Sequence, residues 1–180
     1  MDTTVYRIEK HVILFTDIHD YSIVAEALGM GHMLPFLQEF YETQGDIIVA
    51  HHGEIIKYLG DAILCIFPAG NEVETVRCAQ KMRSAYADLV MRRSITHDTE
   101  LEVGIDAGEV EIGIVGHASL RQNDIFGEHV SRAAVIGHHR GIAVTDDVHR
   151  VIAAHYDTAP LPDVRLKWRA EPLTVWEILA

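Results

Sequence analysis

Apolar and polar positions along the first half of the chain switch between a period of two and a helical period, and the switches mark the elements. His51 to Phe67, HHGEIIKYLGDAILCIF, holds two runs of β-formers, Glu54 to Leu59 and Ala62 to Phe67. Gly60-Asp61 separates them, a pair suited to the positive backbone angles of a tight hairpin turn. Upstream, His11 to Asp20 (HVILFTDIHD) is a short β-rich run that ends in charge. Between the two, Ala25 to Ala50 is helical in pattern, interrupted near Gly29 and Gly31. Met33, Leu34, Leu37, Phe40 and Tyr41 are spaced there for one buried face. Tyr21-Ser22 supplies the turn and N-cap that open this segment.

Pro68 ends the hairpin, and Asn71 is placed to cap a second long helix with Val73, Val76, Cys78 or Ala79, Met82, Tyr86 and Leu89 as its core stripe. Arg92 to Glu100 is a loop by composition. Leu101 to Ile105 resumes the sheet, and Gly108-Glu109 is expected to turn it into Val110 to Val115, a second hairpin. Val130, Ala133, Ala134 and Ile136 begin a short helix. Ile142 to Thr145 reads as a strand, Asp146 to Ala153 as a helix capped by Thr145, Pro160 and Pro162 as a loop, and Val164 to Trp168 and Leu173 to Leu179 as terminal strands. Trp176 is expected in the core. Strands that alternate with helices yet pair as hairpins predict an α+β fold, the ferredoxin-like βαββαβ arrangement with helices on one face of a largely antiparallel sheet. The other face is left for solvent, late-chain elements or a second subunit. Met1 to Lys10 reads as a lead-in, with the domain at residues 11–180.

Composition agrees with one sizeable core: 180 residues, 48% of them hydrophobic. Lys+Arg 15 against Asp+Glu 27 gives a net charge of -12, which argues against a nucleic-acid binder needing a basic surface. A nucleotide arriving with its own cations is compatible with it. Cys65 and Cys78 lack zinc or disulfide-framework spacing and read as buried reduced thiols. No apolar run reaches the roughly 18 residues of a membrane span, and no basic-then-apolar leader opens the chain. The expectation is a soluble cytoplasmic domain without direct membrane insertion.

Three stretches carry candidate chemistry. Asp17, within Phe15-Thr16-Asp17-Ile18, and Asp61, in the hairpin turn, are carboxylates at strand ends that a sheet can bring to one edge. A divalent ion is the usual way such a pair is stabilised, because like charges packed together raise each other's pKa. Lys57 interrupts an otherwise apolar strand, so it must meet a partner or face a cleft. Asp124, in NDIFGEHVSRAAVIGHHR (Asn123 to Arg140), is placed either to cap a turn or to accept a hydrogen bond from a base amine.

Together FTDI at Phe15 to Ile18, GEIIKYLGDAILCIF at Gly53 to Phe67, VGIDAGEV at Val103 to Val110 and NDIFGEHVSRAAV at Asn123 to Val135 resemble the class III nucleotidyl cyclase catalytic domain. The likeness covers nearly the whole chain in order. It implies a homodimer, or a heterodimer of cyclase domains, with active sites shared across the interface. Asp17 and Asp61, with the Ile18 carbonyl, would hold two Mg²⁺ or Mn²⁺ ions. Lys57 and Asp124 of the other subunit resemble the pair that reads adenine, which favours ATP over GTP.

The departures lie in the helix after Asp124. Where the family has an asparagine that orients the ribose and an arginine that neutralises the reacting phosphate, this chain has Ser131 and Val135. Serine keeps a hydrogen bond, but valine supplies no charge, a loss of about 3 kcal/mol in transition-state stabilisation or roughly a hundredfold in rate. Arg132 lies off the Ser131–Val135 face at about 100° per residue; Arg140 must reach back, and His138 and His139 are nearer in phase. Arg121 resembles a phosphate-contacting arginine of some members. Asp20 stands where the family commonly has glycine, beside backbone N–H groups that wrap phosphates. Of twelve histidines, His51, His52, His129, His138 and His139 read as surface or hinge residues, and His19, near Asp17, as a substrate-side candidate. Two functional classes fit: an adenylyl cyclase making cyclic AMP and pyrophosphate, or a catalytically weak cyclase homology domain serving as ATP sensor or heterodimer partner.

Overall fold

The computed structural model describes residues 6–179. Its central strand is β1 (Tyr6–Ile18). Val12, Ile13 and Leu14 are each fully buried because both faces of the strand are covered, which is why this stretch is continuously apolar. β1 pairs antiparallel with β3 (Ala62–Pro68) on one side and with β4 (Leu101–His117) on the other. β2 (Glu54–Leu59) lies outside β3, as the Gly60-Asp61 hairpin predicts. Beyond β4 come β6 (Ile142–Thr145), parallel to it, then β8 (Val175–Ile178) and β7 (Thr158–Pro160). β5 (Leu120–Phe126) folds back on the far end of β4.

One face of the sheet carries α1 (Tyr21–Leu28), α2 (Met33–Ala50), α3 (Glu72–Arg92) and α5 (Asp146–Ile152). Val12, Leu14, Ile63, Cys65, Val103 and Ile105 meet Phe36, Phe40, Met82, Tyr86 and Val148 there. Full burial of such side chains contributes about 1.5–3 kcal/mol each. The opposite face is covered in part by a late element, α4 (Glu128–Ile136), whose Ala133 packs with Ile13, Phe15, Leu64 and Ile112. α4 approaches so closely that a Cβ on Gly104 would lie 2.1 Å from the Ala133 carbonyl oxygen.

Several expectations are corrected. β1 starts at Tyr6, before the expected boundary at His11, and Tyr6 to Lys10 pair with Glu109 to Gly113; Met1 to Val5 lie outside the described residues. Gly108-Glu109 makes no turn, since β4 runs unbroken to His117. Gly108 instead admits the His129 ring, whose Nε2 would sit 2.1 Å from an added Cβ. The residue before α1 is Asp20, in the left-handed region at φ 55, a conformation that glycine adopts freely and aspartate tolerates. Asn71 and Thr145 precede their helices without side-chain caps. Leu34 is 78% exposed. Val164 to Trp168 contributes only a bridge from Val164 to Leu173, and the last strand shortens to Val175–Ile178. His51 is buried against Glu74, with Nδ1 2.5 Å from Oε1.

Cys65 and Cys78 are buried free thiols, as their spacing predicts. Burial drives the Cys65 pKa well up and Cys78 to about 12.

Candidate active site

The β1–β4 register sets Asp17 directly opposite Glu102. The β2–β3 turn brings Asp61 to the same place, where it accepts a hydrogen bond from the Ile18 N–H and shares one with Asp17. Burial first, and then the Asp17 charge, push the Asp61 pKa up to about 6. Asp17 and Asp61, named from sequence, are thus brought together. Two further residues join them. His138, just past α4, has Nδ1 2.9 Å from Asp17 Oδ2. Glu102 is 4% exposed, and His19 Nδ1 lies 2.7 Å from its Oε1. Donor atoms of Asp17, Glu102 and His138 all fall within 4.8 Å of one another.

This donor set suits a divalent cation. The ion-pair partners of Asp17 and Glu102 are histidines, so the grouped carboxylates lack the strong neutralisation that a guanidinium brings. Sequence reading missed Glu102, although an acid inside the apolar strand LEVGI is the same kind of signal that singled out Asp17. His19 engages the chain on every side: its N–H donates to the Glu100 carbonyl, its carbonyl accepts from Thr99 Oγ1, and its ring lies between Glu102 and Asp20. The Asp20 carboxylate is held by His97, with Nε2 3.0 Å from Oδ2, away from any need for solvent alone.

The second pair is also assembled. Lys57 follows a register shift in β2, and its Nζ donates to Asp124 Oδ2 at 2.8 Å across 67 residues of sequence. Asp124 is 5% exposed, and its Oδ1 accepts from the Ile125 N–H at 2.8 Å. This is a charge-assisted pair with an oriented carboxylate.

On α4, Ser131 Oγ reaches back to the Gly127 carbonyl at 3.5 Å, and Val135 is 39% exposed. Val135 and His138 border an open cavity of about 290 Å³ also lined by Leu161, Pro162 and Val175. Neither nearby arginine stands in for the missing charge. Arg132 is buried, with Nε 3.0 Å from Asp106 Oδ2 and its outer nitrogen 3.1 Å from Asp147. Arg140 forks onto Asp98 and also meets Glu100. Arg121 is exposed on β5, opposite Gly116. His139 Nε2 is 3.9 Å from Glu177.

A split βαββαβ sheet with two acids at adjoining strand ends and a lysine–aspartate pair defines a nucleotidyl cyclase-type catalytic domain. Residues 3–178 match the family model described as the adenylate and guanylate cyclase catalytic domain, and the chain belongs to that family. It is similar to an adenylate cyclase of Anabaena cylindrica, 30% identical over 95% of this chain and 37% of that protein. Adenylate cyclase 1 of Rhizobium meliloti is 25% identical over 92% of this chain and 27% of its own length. The chain therefore spans well under half of these curated relatives. Among solved structures, the adenylyl cyclase CyaB from P. aeruginosa superposes with TM-score 0.88 at 19% identity, covering 98% of this chain and 96% of that one. The guanylyl cyclase Cya2 superposes at 0.83 with 19% identity, covering 96% and 92%. Both support the fold. Among the described residues, no helix is long and apolar enough to cross a membrane.

Proposed function

We propose that this domain is an adenylyl cyclase that converts ATP to cyclic AMP and pyrophosphate in a site shared between two copies. The observation that carries the reading is the Lys57–Asp124 pair at 2.8 Å. The ammonium keeps two further donors and the carboxylate keeps free lone pairs. Lys57 can donate to adenine N1 while Asp124 accepts from the N6 amine. Guanine presents the reverse pattern on that edge and leaves both groups mismatched.

Asp17 and Asp61, with the Ile18 carbonyl, would hold Mg²⁺ or Mn²⁺, the fit resting on two half-buried acids set side by side, the charge of one raising the pKa of the other. Bound there, such ions ease deprotonation of the ribose 3′-hydroxyl and offset charge on the α-phosphate. The 3′-oxygen bonds to the α-phosphorus, the bond from that phosphorus to pyrophosphate oxygen breaks, and the hydroxyl proton passes to water. Lys57 and Asp124 fix the base, and Ser131 offers a hydroxyl toward the ribose. Dimerisation is supported by two exposed apolar side chains, Ile8 (60% exposed) and Phe126 (49%), on either side of Glu111 in the sheet.

The second reading, an ATP sensor or partner domain, is favoured by Val135 and by Arg132 and Arg140 being held elsewhere. Nucleotide titrations with Mn²⁺ test the main reading. ATP should bind more tightly than GTP, Asp61→Asn should weaken Mn²⁺-ATP binding, and cyclic AMP should form. Equal or reversed nucleotide affinities overturn the base assignment. ATP preference with no detectable turnover favours the sensor or partner domain.

A further inference from the structure

We infer that His138 is a cation ligand, joining Asp17 and Glu102 in a nitrogen–oxygen–oxygen donor set, and that it biases this centre toward Mn²⁺ over Mg²⁺. The inference rests on the two-cation reading above and deepens it by naming a ligand and a metal preference.

Spacing is the first support. His138 Nδ1 is 2.9 Å from Asp17 Oδ2, and all three donors lie within 4.8 Å of one another. Adjacent donors on an octahedral ion with bonds of about 2.1 Å sit about 3 Å apart, and opposite donors about 4 Å. The three atoms are therefore near ligation distance before any ion arrives. Orientation is the second support: the His138 ring meets Phe15 edge-on, with centroids 5.9 Å apart and planes at 66°. The ring is covered on that side only, its side chain being 59% exposed, and its Nδ1 faces Asp17.

Glu102 supplies the third. Its side chain is only 6% exposed and has His19 Nδ1 2.7 Å from Oε1. A ligating carboxylate that is itself hydrogen-bonded from behind is the usual outer-shell arrangement of a metal centre. An all-oxygen pair of aspartates is indifferent between Mg²⁺ and Mn²⁺ on ligand type. An imidazole is not, because Mg²⁺ keeps oxygen ligands and gives up water reluctantly, whereas transition ions accept nitrogen.

The test uses the full chain without nucleotide, titrated with Mn²⁺ and with Mg²⁺ by calorimetry and followed by pulsed electron paramagnetic resonance of the Mn²⁺ complex. Wild type should show ¹⁴N modulation from a directly bound imidazole. His138→Ala should abolish it, weaken Mn²⁺ binding at least tenfold and weaken Mg²⁺ binding less than threefold. The wild-type spectrum needs no variant, so a folding defect cannot shield the inference. Absence of ¹⁴N modulation in wild type, its persistence in His138→Ala, or equal losses for the two ions overturns it. Asp61→Asn separates the two levels. If Asp61→Asn alone weakens Mn²⁺ binding, His138 is no ligand and the two-cation reading stands; if neither variant does, both fall.

Discussion

Asp106 and Glu102 flank Gly104 on the same face of β4, both nearly out of solvent, and they are held in opposite ways. Asp106 is fully buried, ion-paired with the Arg132 guanidinium (Nε 3.0 Å away) and hydrogen-bonded to His129 Nδ1 at 2.9 Å and the Thr145 hydroxyl at 2.5 Å. Glu102 has His19, and opposite it stands another acid, Asp17, which in turn neighbours Asp61. A buried acid matched by a guanidinium is a structural element whose charge is already answered. Buried acids grouped against imidazoles leave charge for an external cation to answer. Arg132, although it follows Ser131 directly in sequence, is turned to Asp106 and Asp147.

The largest expected effect breaks the matched side. Arg132→Ala leaves Asp106 without its guanidinium and should reduce stability by about 3–5 kcal/mol, read as a lower urea midpoint with unchanged slope. A loss under about 1 kcal/mol would mean that His129 and Thr145 suffice, and the contrast with Glu102 would collapse.

Next in size is a change that adds the absent charge beside the unmatched side. Ser131→Asn with Val135→Arg should raise cyclic AMP formation at least tenfold at saturating Mn²⁺-ATP, since the new guanidinium acts as charge develops on phosphate. No gain over a wild-type rate already near 1 s⁻¹ or above would show that another residue does the arginine's work. Negligible rates in both proteins would favour the sensor or partner domain.

A smaller effect concerns Asp61 without metal. Its folded pKa, about 6 against 3.8 for the free group, lies above the unfolded value, so it favours folding at low pH and that contribution is lost as pH rises through about 6. Asp61→Asn should therefore melt no lower than wild type in chelator at pH 8, and its advantage should shrink at pH 4. A lower melting temperature at pH 8 would make Asp61 structural, like Asp106. The smallest effect is chemical: Cys65 and Cys78, with pKa values raised by burial, should resist alkylation at pH 8 until urea unfolds the chain. Fast labelling of the native protein would show that the sheet interior opens readily.

Local patterning made the β2–β3 hairpin, the α3 core stripe and the apolar run of β1 legible, because each is written in neighbouring residues. Helical phase also placed Arg132 off the Ser131–Val135 face, and it is buried. The candidate acids Asp17 and Asp61, and the pair Lys57 and Asp124, were legible as charges interrupting or ending apolar strands and through the family resemblance.

Their assembly was a different matter. The β1–β4 register put Glu102 opposite Asp17, and that register depends on two distant strands burying both faces at once. His138 meets Asp17 only because α4 lies close over Gly104. Likewise Gly108, which reads as a turn in sequence, pairs with His11 within β4, and the His129 ring occupies the space a side chain there would need. Neighbouring residues carry enough information for most strands and helices and for where the charges lie. Which acids meet a guanidinium and which meet only imidazoles follows from packing, because it depends on contacts a few ångströms long between residues far apart in the chain.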